Sequence, residues 1–249
     1  MANRIVERII DATYAVLVPH PNHAYHNAPT IVGTGFFISE VGFFITARHV
    51  IEKEDNSLHD PNQIIFQKPL PGPMVKEITV VQDWTEFDIV LLKADFEKNK
   101  NRHGFEGKTG FDYLEVDYDI APVGTDVLSY GFPLSDTDVR AGSPVSFVLH
   151  KYSPRLTSAM ISSHHEYIGP AFSPESPKYY VIDKALNYGN SGGPIVVKET
   201  GKAISACIKF QPVDIQQGEN SYVTIPSLYS VSSPLRNIEA NLRACLEGS

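Results

Sequence analysis

Short apolar runs alternate with polar punctuation along most of the chain. "TYAVLV", "IVGTGFFIS", "GFFITA", "QIIFQK", "KEITVV" and "DIVLLKA" fall between residues 13 and 94. They are rich in β-branched and aromatic residues and bounded by Gly, Pro, Asn or Asp, the pattern of strands that pack against a core. A polar stretch with little periodicity, "DFEKNKNRHGFEGKTGFD", follows and predicts a linker or long loop. Strands resume with "DVLSYGF", "SPVSFVLHK", "KYYVID", "PIVVK", "KAISACIKF" and "SYVTI". Short strands at regular spacing with turn signals predict a sandwich or barrels, and two strand-rich halves around a polar linker predict two barrels.

The ends depart from this pattern. In "SPLRNIEANLRACLE", Ser233 is read as the N-cap and Pro234 as the first helical residue, while Leu235, Ile238, Leu242 and Cys245 share one face at helical spacing. An amphipathic C-terminal helix packed on the second barrel is expected. "NRIVERII" predicts another short helix near the start.

Composition narrows the function classes. The 249 residues make one large domain or two small lobes, long enough to bury a core. The net charge of -8 argues against a nucleic-acid partner. No apolar run approaches the ~20 residues that span a bilayer, so a membrane partner is not expected. The two cysteines, Cys207 and Cys245, are too few for a disulfide framework and are read as reduced, partly buried thiols, with one bridge as the alternative. The opening "MANRIVERII" lacks the apolar segment and small-residue cleavage site of a signal peptide. A cytoplasmic location is therefore expected unless a leader has been removed.

One stretch invites chemistry. "NYGNSGGPIV", residues 187–196, sets Ser191 among glycines. Serine is a poor nucleophile at neutral pH; it needs an adjacent base, an orienting group for that base and backbone N–H donors aimed at the oxyanion. His49 follows a predicted hairpin in "TARHV", and Asp88 stands where a charged loop becomes the strand "DIVLLKA". An aspartate at that boundary is costly unless paired, and a histidine is a natural partner. Each element taken alone has a plainer reading: a glycine turn, a solvated histidine, a capping aspartate. Their combination in the order His49, Asp88, Ser191 favours an acyl-transfer site.

These segments resemble the trypsin-fold (chymotrypsin-like) serine proteases, nearest the bacterial HtrA/DegP-type branch without its PDZ modules. That branch carries "GSGF…T..HV", "D…VLK" and "GNSGGP/A" blocks; here they read "GTGFFIS…TARHV", "FDIVLLKA" and "GNSGGPIV". "VGTDVLSYGFP", "GKAISACIKF" and "VTIPS" match further blocks in order, so the resemblance spans about residues 13 to 232. It implies two six-stranded antiparallel β-barrels with a C-terminal helix in a single protease domain, residues 1–249. Barrel one would cover about 13–95, a linker about 96–122, barrel two about 123–232 and the helix about 233–247. The roles it implies are His49 as general base, Asp88 as its orienting acid, Ser191 as nucleophile, and the Gly189 and Ser191 N–H groups as the oxyanion hole.

The resemblance also implies a protein or peptide substrate added as a strand along "SACIKF". Its pocket would be walled by Ala185, Leu186, Asn187, Tyr188, Ile208, Lys209 and Phe210. With Ala185 near the pocket base, cleavage after Lys or Arg is not expected; apolar residues are the default, and Lys184 and Lys209 leave acidic ones open. No metal or cofactor is implied. His20, His23 and His26 make a zinc site conceivable but read as a solvated loop, and His164 and His165 are placed in a surface loop. "NRIVE" mimics the cut that activates digestive proteases, but Asn190 cannot form the ion pair which that cut creates. Restraint by a mobile oxyanion loop, oligomerisation or a partner protein stays open. A catalytically silent binding module is the rival reading.

Overall fold

Apolar runs of the first half form one antiparallel sheet. The computed structural model describes residues 2–19, 28–140, 147–165, 179–218 and 221–248. The first sheet contains β1 (Thr13–Pro19), β2 (Pro29–Phe37), β3 (Phe43–Ala47), β4 (Ile65–Gln67), β5 (Met74–Val75), β6 (Ile78–Trp84) and β7 (Ile89–Ala94). Its order is β5-β4-β1-β2-β3-β7-β6. Seven strands thus curl into a half-barrel where a ring of six was expected. Edge strand β5 is two residues long and follows Pro69, Pro71 and Pro73, which have no N–H to donate to a closing partner.

The second half closes. Its strands are β8 (Asp126–Gly131), β11 (Arg155–His165), β12 (Tyr179–Ile182), β13 (Pro194–Val197), β14 (Ala203–Gly218) and β15 (Ser221–Pro234). They form a closed barrel in the order β11-β12-β15-β14-β13-β8, and β9 (Asp136–Arg140) with β10 (Phe147–Lys151) makes a separate two-stranded ribbon. The mostly-β expectation holds. Two strands differ from the sequence reading. β11 carries so many polar residues that its alternation is faint, and only Ala159 and Ile161 are fully buried in it. His164 and His165 accordingly end a strand, and His164 Nε2 lies 2.9 Å from the Ala121 carbonyl oxygen. β14 and β15 run on past the apolar segments as a long hairpin of 16 and 14 residues.

Both terminal helices pack at the seam of the two halves. α1 (Ala2–Ala12) buries Ile9 and Ala12 in the cluster that holds Phe36, Leu91, Leu128 and Ala206. Leu235, Ile238 and Leu242 enter the same cluster, with Cys245 against it. Burying each such aliphatic side chain is worth about 1.5–3 kcal/mol. The C-terminal element begins as a 3₁₀ turn, Leu235–Ile238, and continues as the helix Glu239–Glu247. Ser233 is not its cap: it is a buried residue of β15 paired with Ala206, and Pro234 caps the turn without a side-chain bond. Arg4, Ile5 and Val6 lie inside α1, so the activation-like "NRIVE" is helix interior.

The polar stretch after β7 is anchored by its apolar residues. Phe96, Phe105, Phe111 and Leu114 are buried, and Phe111 stacks on Phe37 with ring centres 4.2 Å apart. Both cysteines are free thiols. Burial, with Asp88 adding to it, pushes the Cys207 thiol up to about 12. No helix among the described residues is long and apolar enough to cross a membrane.

Candidate active site

His49 sits in a 3₁₀ turn, Arg48–Val50, at the end of β3, a strand buried along its whole length. Asp88 follows a second 3₁₀ turn, Thr85–Phe87, just before β7, with a left-handed backbone at φ 54°. β3 and β7 are neighbours, with Ala47 opposite Ile89, so the two turns meet at one end of the sheet. There Asp88 grips His49 twice: Oδ2 lies 2.7 Å from Nδ1, and Oδ1 accepts from the His49 backbone N–H at 3.0 Å. A third bond, Arg48 N–H to the Asp88 carbonyl oxygen at 3.0 Å, zips the turns together. Nδ1 thereby carries the proton toward the carboxylate and Nε2 is left free to accept one.

Arg48 was not anticipated. Its side chain is 11% exposed, and its guanidinium bonds Asp83 from Nε at 3.0 Å, Glu52 at 2.5 Å and the Asn56 carbonyl oxygen at 2.9 Å. These partners, Glu52 first, hold its ionisation above the ordinary arginine value. The side chain ties the histidine turn to the following loop. The Arg-to-Glu spacing of four residues was the available signal.

Ser191 comes from the second half. Its turn packs against the end of β3: a Cβ on Gly192 would lie 2.2 Å from Thr46 Oγ1 and 2.7 Å from Ala47 N. A Cβ on Gly33 would strike both Val50, next to His49, and the Ser191 carbonyl oxygen. The Ser191 turn therefore packs against the end of β3 from which the His49 turn starts. Among the described residues no hydrogen bond joins Ser191 Oγ to His49 Nε2; in sites without substrate such bonds are often long. Gly189 has φ +96°, which favours glycine, and a Cβ there would sit 2.3 Å from the Phe132 carbonyl oxygen. Among the described residues the N–H groups of Gly189 and Ser191 donate to nothing.

The expected pocket walls divide. Ala185, Asn187, Tyr188 and Lys209 are exposed and Phe210 is half-buried. The Tyr188 and Phe210 rings meet edge to face with centres 5.4 Å apart. Leu186 and Ile208 are buried in the core clusters and present no side-chain surface. β14 pairs with β13 as far as Ala206, and Cys207 still bonds Gly192 and Gly193; beyond it, among the described residues, the side of β14 away from β15 is open to an added strand. His49 also lines a cleft of about 540 Å³. Val18, Pro19, Val32 and Val50 form its apolar part, and Glu52, Lys53, Glu54, Asp55 and His59 its polar part. Burial, and then Lys53, lowers the pKa of His59. His20, His23 and His26 lie outside the described residues. Among the described residues no cluster of three or more metal-ligating side chains occurs.

The family described as "Trypsin-like peptidase domain" matches residues 33–204. The chain belongs to the trypsin-like peptidase family. It is 28% identical over 179 residues to a probable periplasmic serine endoprotease, DegP-like, of Brucella suis biovar 1 (strain 1330). A DegP-like relative from Rhizobium meliloti (strain 1021), also named probable periplasmic serine endoprotease, is 26% identical over 167 residues. These alignments cover 71% and 67% of this chain but 26% and 25% of the relatives, so the chain spans about a quarter of their length. The fold is similar to that of the HtrA-type protease AlgW with tripeptide, at TM-score 0.62 and 17% identity over all of this chain and 64% of that one. It is also similar to the serine endoprotease from Yersinia pestis, at TM-score 0.59 and 19% identity over 98% and 66%.

The periplasmic relatives overturn the cytoplasmic expectation. The residues on which it rested belong to α1, a folded helix of the domain, and a folded helix says nothing about compartment.

Proposed function

We propose that this trypsin-like peptidase domain is a serine endopeptidase working through His49, Asp88 and Ser191. Ser191 Oγ attacks the scissile carbonyl and passes its proton to His49 Nε2. Asp88 keeps the Nδ1 proton in place and stabilises the imidazolium that forms. The Gly189 and Ser191 N–H groups receive the oxyanion. His49 then protonates the leaving amine, and water, deprotonated by the same imidazole, hydrolyses the acyl-enzyme. The observation that carries this reading is the double grip of Asp88 on His49, at 2.7 Å to the ring and 3.0 Å to the backbone.

The substrate is a polypeptide segment laid as a strand along the open side of β14, with an apolar residue before the cut. A structural neighbour described with a tripeptide supports that class. The relatives' names support action in the periplasm, which fractionation of the native host tests directly. Labelling by a fluorophosphonate in wild type and its loss in Ser191→Ala tests the triad, and peptide-library cleavage tests the substrate class. The missing Ser191–His49 hydrogen bond favours one second reading, a latent or silent binding module, which fails to label under any condition.

A further inference from the structure

The turn that presents Ser191 is held at nearly every backbone group, and one residue from the other half of the molecule does much of the holding. Thr34 lies on β2 and is fully buried. Its N–H donates to the Ser191 carbonyl oxygen at 2.8 Å. Its hydroxyl donates to the Gly189 carbonyl oxygen at 2.5 Å and accepts from the Phe132 N–H at 3.2 Å. A hydroxyl has a single proton to give, so the Gly189 carbonyl fixes its rotor. Thr34 is fixed in turn by Thr46 Oγ1, which donates to its carbonyl oxygen at 2.7 Å. Gly131, Gly192 and Gly193 crowd around it: a Cβ on each would meet Thr34 Oγ1 at 3.0 Å, O at 2.1 Å and Cγ2 at 3.3 Å.

The remaining groups of the turn are tied locally. The Tyr188 carbonyl oxygen accepts from Leu134 N–H at 2.8 Å, Asn190 N–H donates to the Asn187 carbonyl oxygen at 3.0 Å, and Gly192 N–H donates to the Cys207 carbonyl oxygen at 2.6 Å. In a trans peptide the N–H points opposite to the C=O. With the Tyr188 carbonyl turned to Leu134, the Gly189 N–H must face the other way. The Asn190 carbonyl oxygen accepts from Gly193 N–H at 2.8 Å, which by the same rule turns the Ser191 N–H. Thr34 holds the Gly189–Asn190 peptide that links these two, and the N–H groups left unclaimed are those of Gly189 and Ser191.

We propose that Thr34 is a positioning residue of the oxyanion hole: its hydroxyl pins the Gly189–Asn190 peptide, the link between the two peptides that carry the Gly189 and Ser191 N–H groups. It supplies from the first sheet the restraint that the uncharged, buried Asn190 cannot supply through an ion pair. This rests on the peptidase reading for its kinetic consequence but not for its structural one.

The test compares Thr34→Val, which keeps the shape and removes the hydroxyl, with Thr34→Ser, which keeps the hydroxyl. Thr34→Val lowers kcat by about 10²-fold with KM little changed, and Thr34→Ser recovers most of the loss. Crystal structures of both in the Ser191→Ala background show the Gly189–Asn190 peptide turned away in the valine variant and native in the serine variant. Thr34→Ala, which leaves room for a bridging water, replaces valine if that variant does not fold. Wild-type kcat in Thr34→Val with an unchanged turn overturns the proposal. A wild type that never labels with fluorophosphonate sinks the peptidase reading alone, because the crystal comparison decides the role of Thr34 without any turnover.

Discussion

Asp88 and His49 are joined at two points, carboxylate to ring at 2.7 Å and carboxylate to backbone at 3.0 Å. The second bond makes the pairing rigid. An aspartate that met the ring alone could follow it through a rotamer change, whereas this one fixes the turn that carries the ring.

Replacing Asp88 by asparagine separates these two tasks. The amide oxygen can still accept from the backbone N–H, so the fold survives. The amide nitrogen facing Nδ1 forces the wrong tautomer on His49, and kcat is expected to fall by about 10⁴-fold. Steady-state kinetics and a thermal melt check this together; activity within tenfold of wild type would remove Asp88 from the mechanism.

Gly189→Ala should be far more damaging than an ordinary surface glycine change. The added Cβ meets the Phe132 backbone at 2.3 Å and the residue stands at φ +96°, so the peptide must move. Loss of one oxyanion donor costs about 10²–10³-fold in kcat. Gly124→Ala is the control: its φ of +94° is similar, but a Cβ there meets nothing. It should cost stability without touching kcat, and equal kinetic losses in both variants would show that the turn at Gly189 has no special role.

On the peptidase reading we assign the cleft that His49 lines to the segment after the cut. Arg48 already engages Glu52 at 2.5 Å, so Glu54 and Asp55 against Lys53 leave the polar part net negative. A basic residue shortly after the cut should be favoured by about twofold to fivefold, the scale of exposed ion pairs. Glu54→Lys should reverse the preference, and salt at about 1 M should erase it. Peptide-library cleavage read by mass spectrometry measures all three; an unchanged profile in Glu54→Lys refutes the assignment.

Lys68 offers a pH test remote from the catalytic groups. Its side chain is 14% exposed, Nζ donates to the Asp11 carbonyl oxygen at 2.6 Å and stands 4.7 Å from the centre of the Tyr14 ring. Burial lowers its pKa from 10.5 to about 8, with Asp11 and then Asp112 pulling the other way. The unfolded chain therefore holds more protons than the folded one between about pH 8 and 10.5. Across that window this group adds stability as pH rises, and below it contributes no slope. In denaturant melts, Lys68→Met should show a flatter pH dependence there than wild type. Parallel curves would mean that Lys68 is not depressed.

Much of this was legible in the sequence, and the exceptions have physical causes. His49, Asp88 and Ser191 announce themselves because each sits in a short block whose neighbours are constrained by packing. β11 was hidden because a barrel strand with one wet face can be mostly polar, as "RLTSAMISSHH" is. Ser233 looked like a cap because serine before proline usually is one; here β15 extends through it. Thr34 was invisible as a site residue because its importance lies in backbone atoms about 155 positions away, Gly189 among them, and such pairings leave no local pattern. The half-barrel escaped notice because closure depends on the length of β5, which a two-residue strand does not advertise.

Thr34 stands in one half of the molecule and the turn it holds stands in the other. Parting the halves by a single ångström would stretch both of its bonds to the turn past useful hydrogen-bond length and release the N–H pair from alignment. On the peptidase reading, a small molecule wedged into the seam would switch the protein off from a distance, leaving the cleft empty and Ser191 chemically intact.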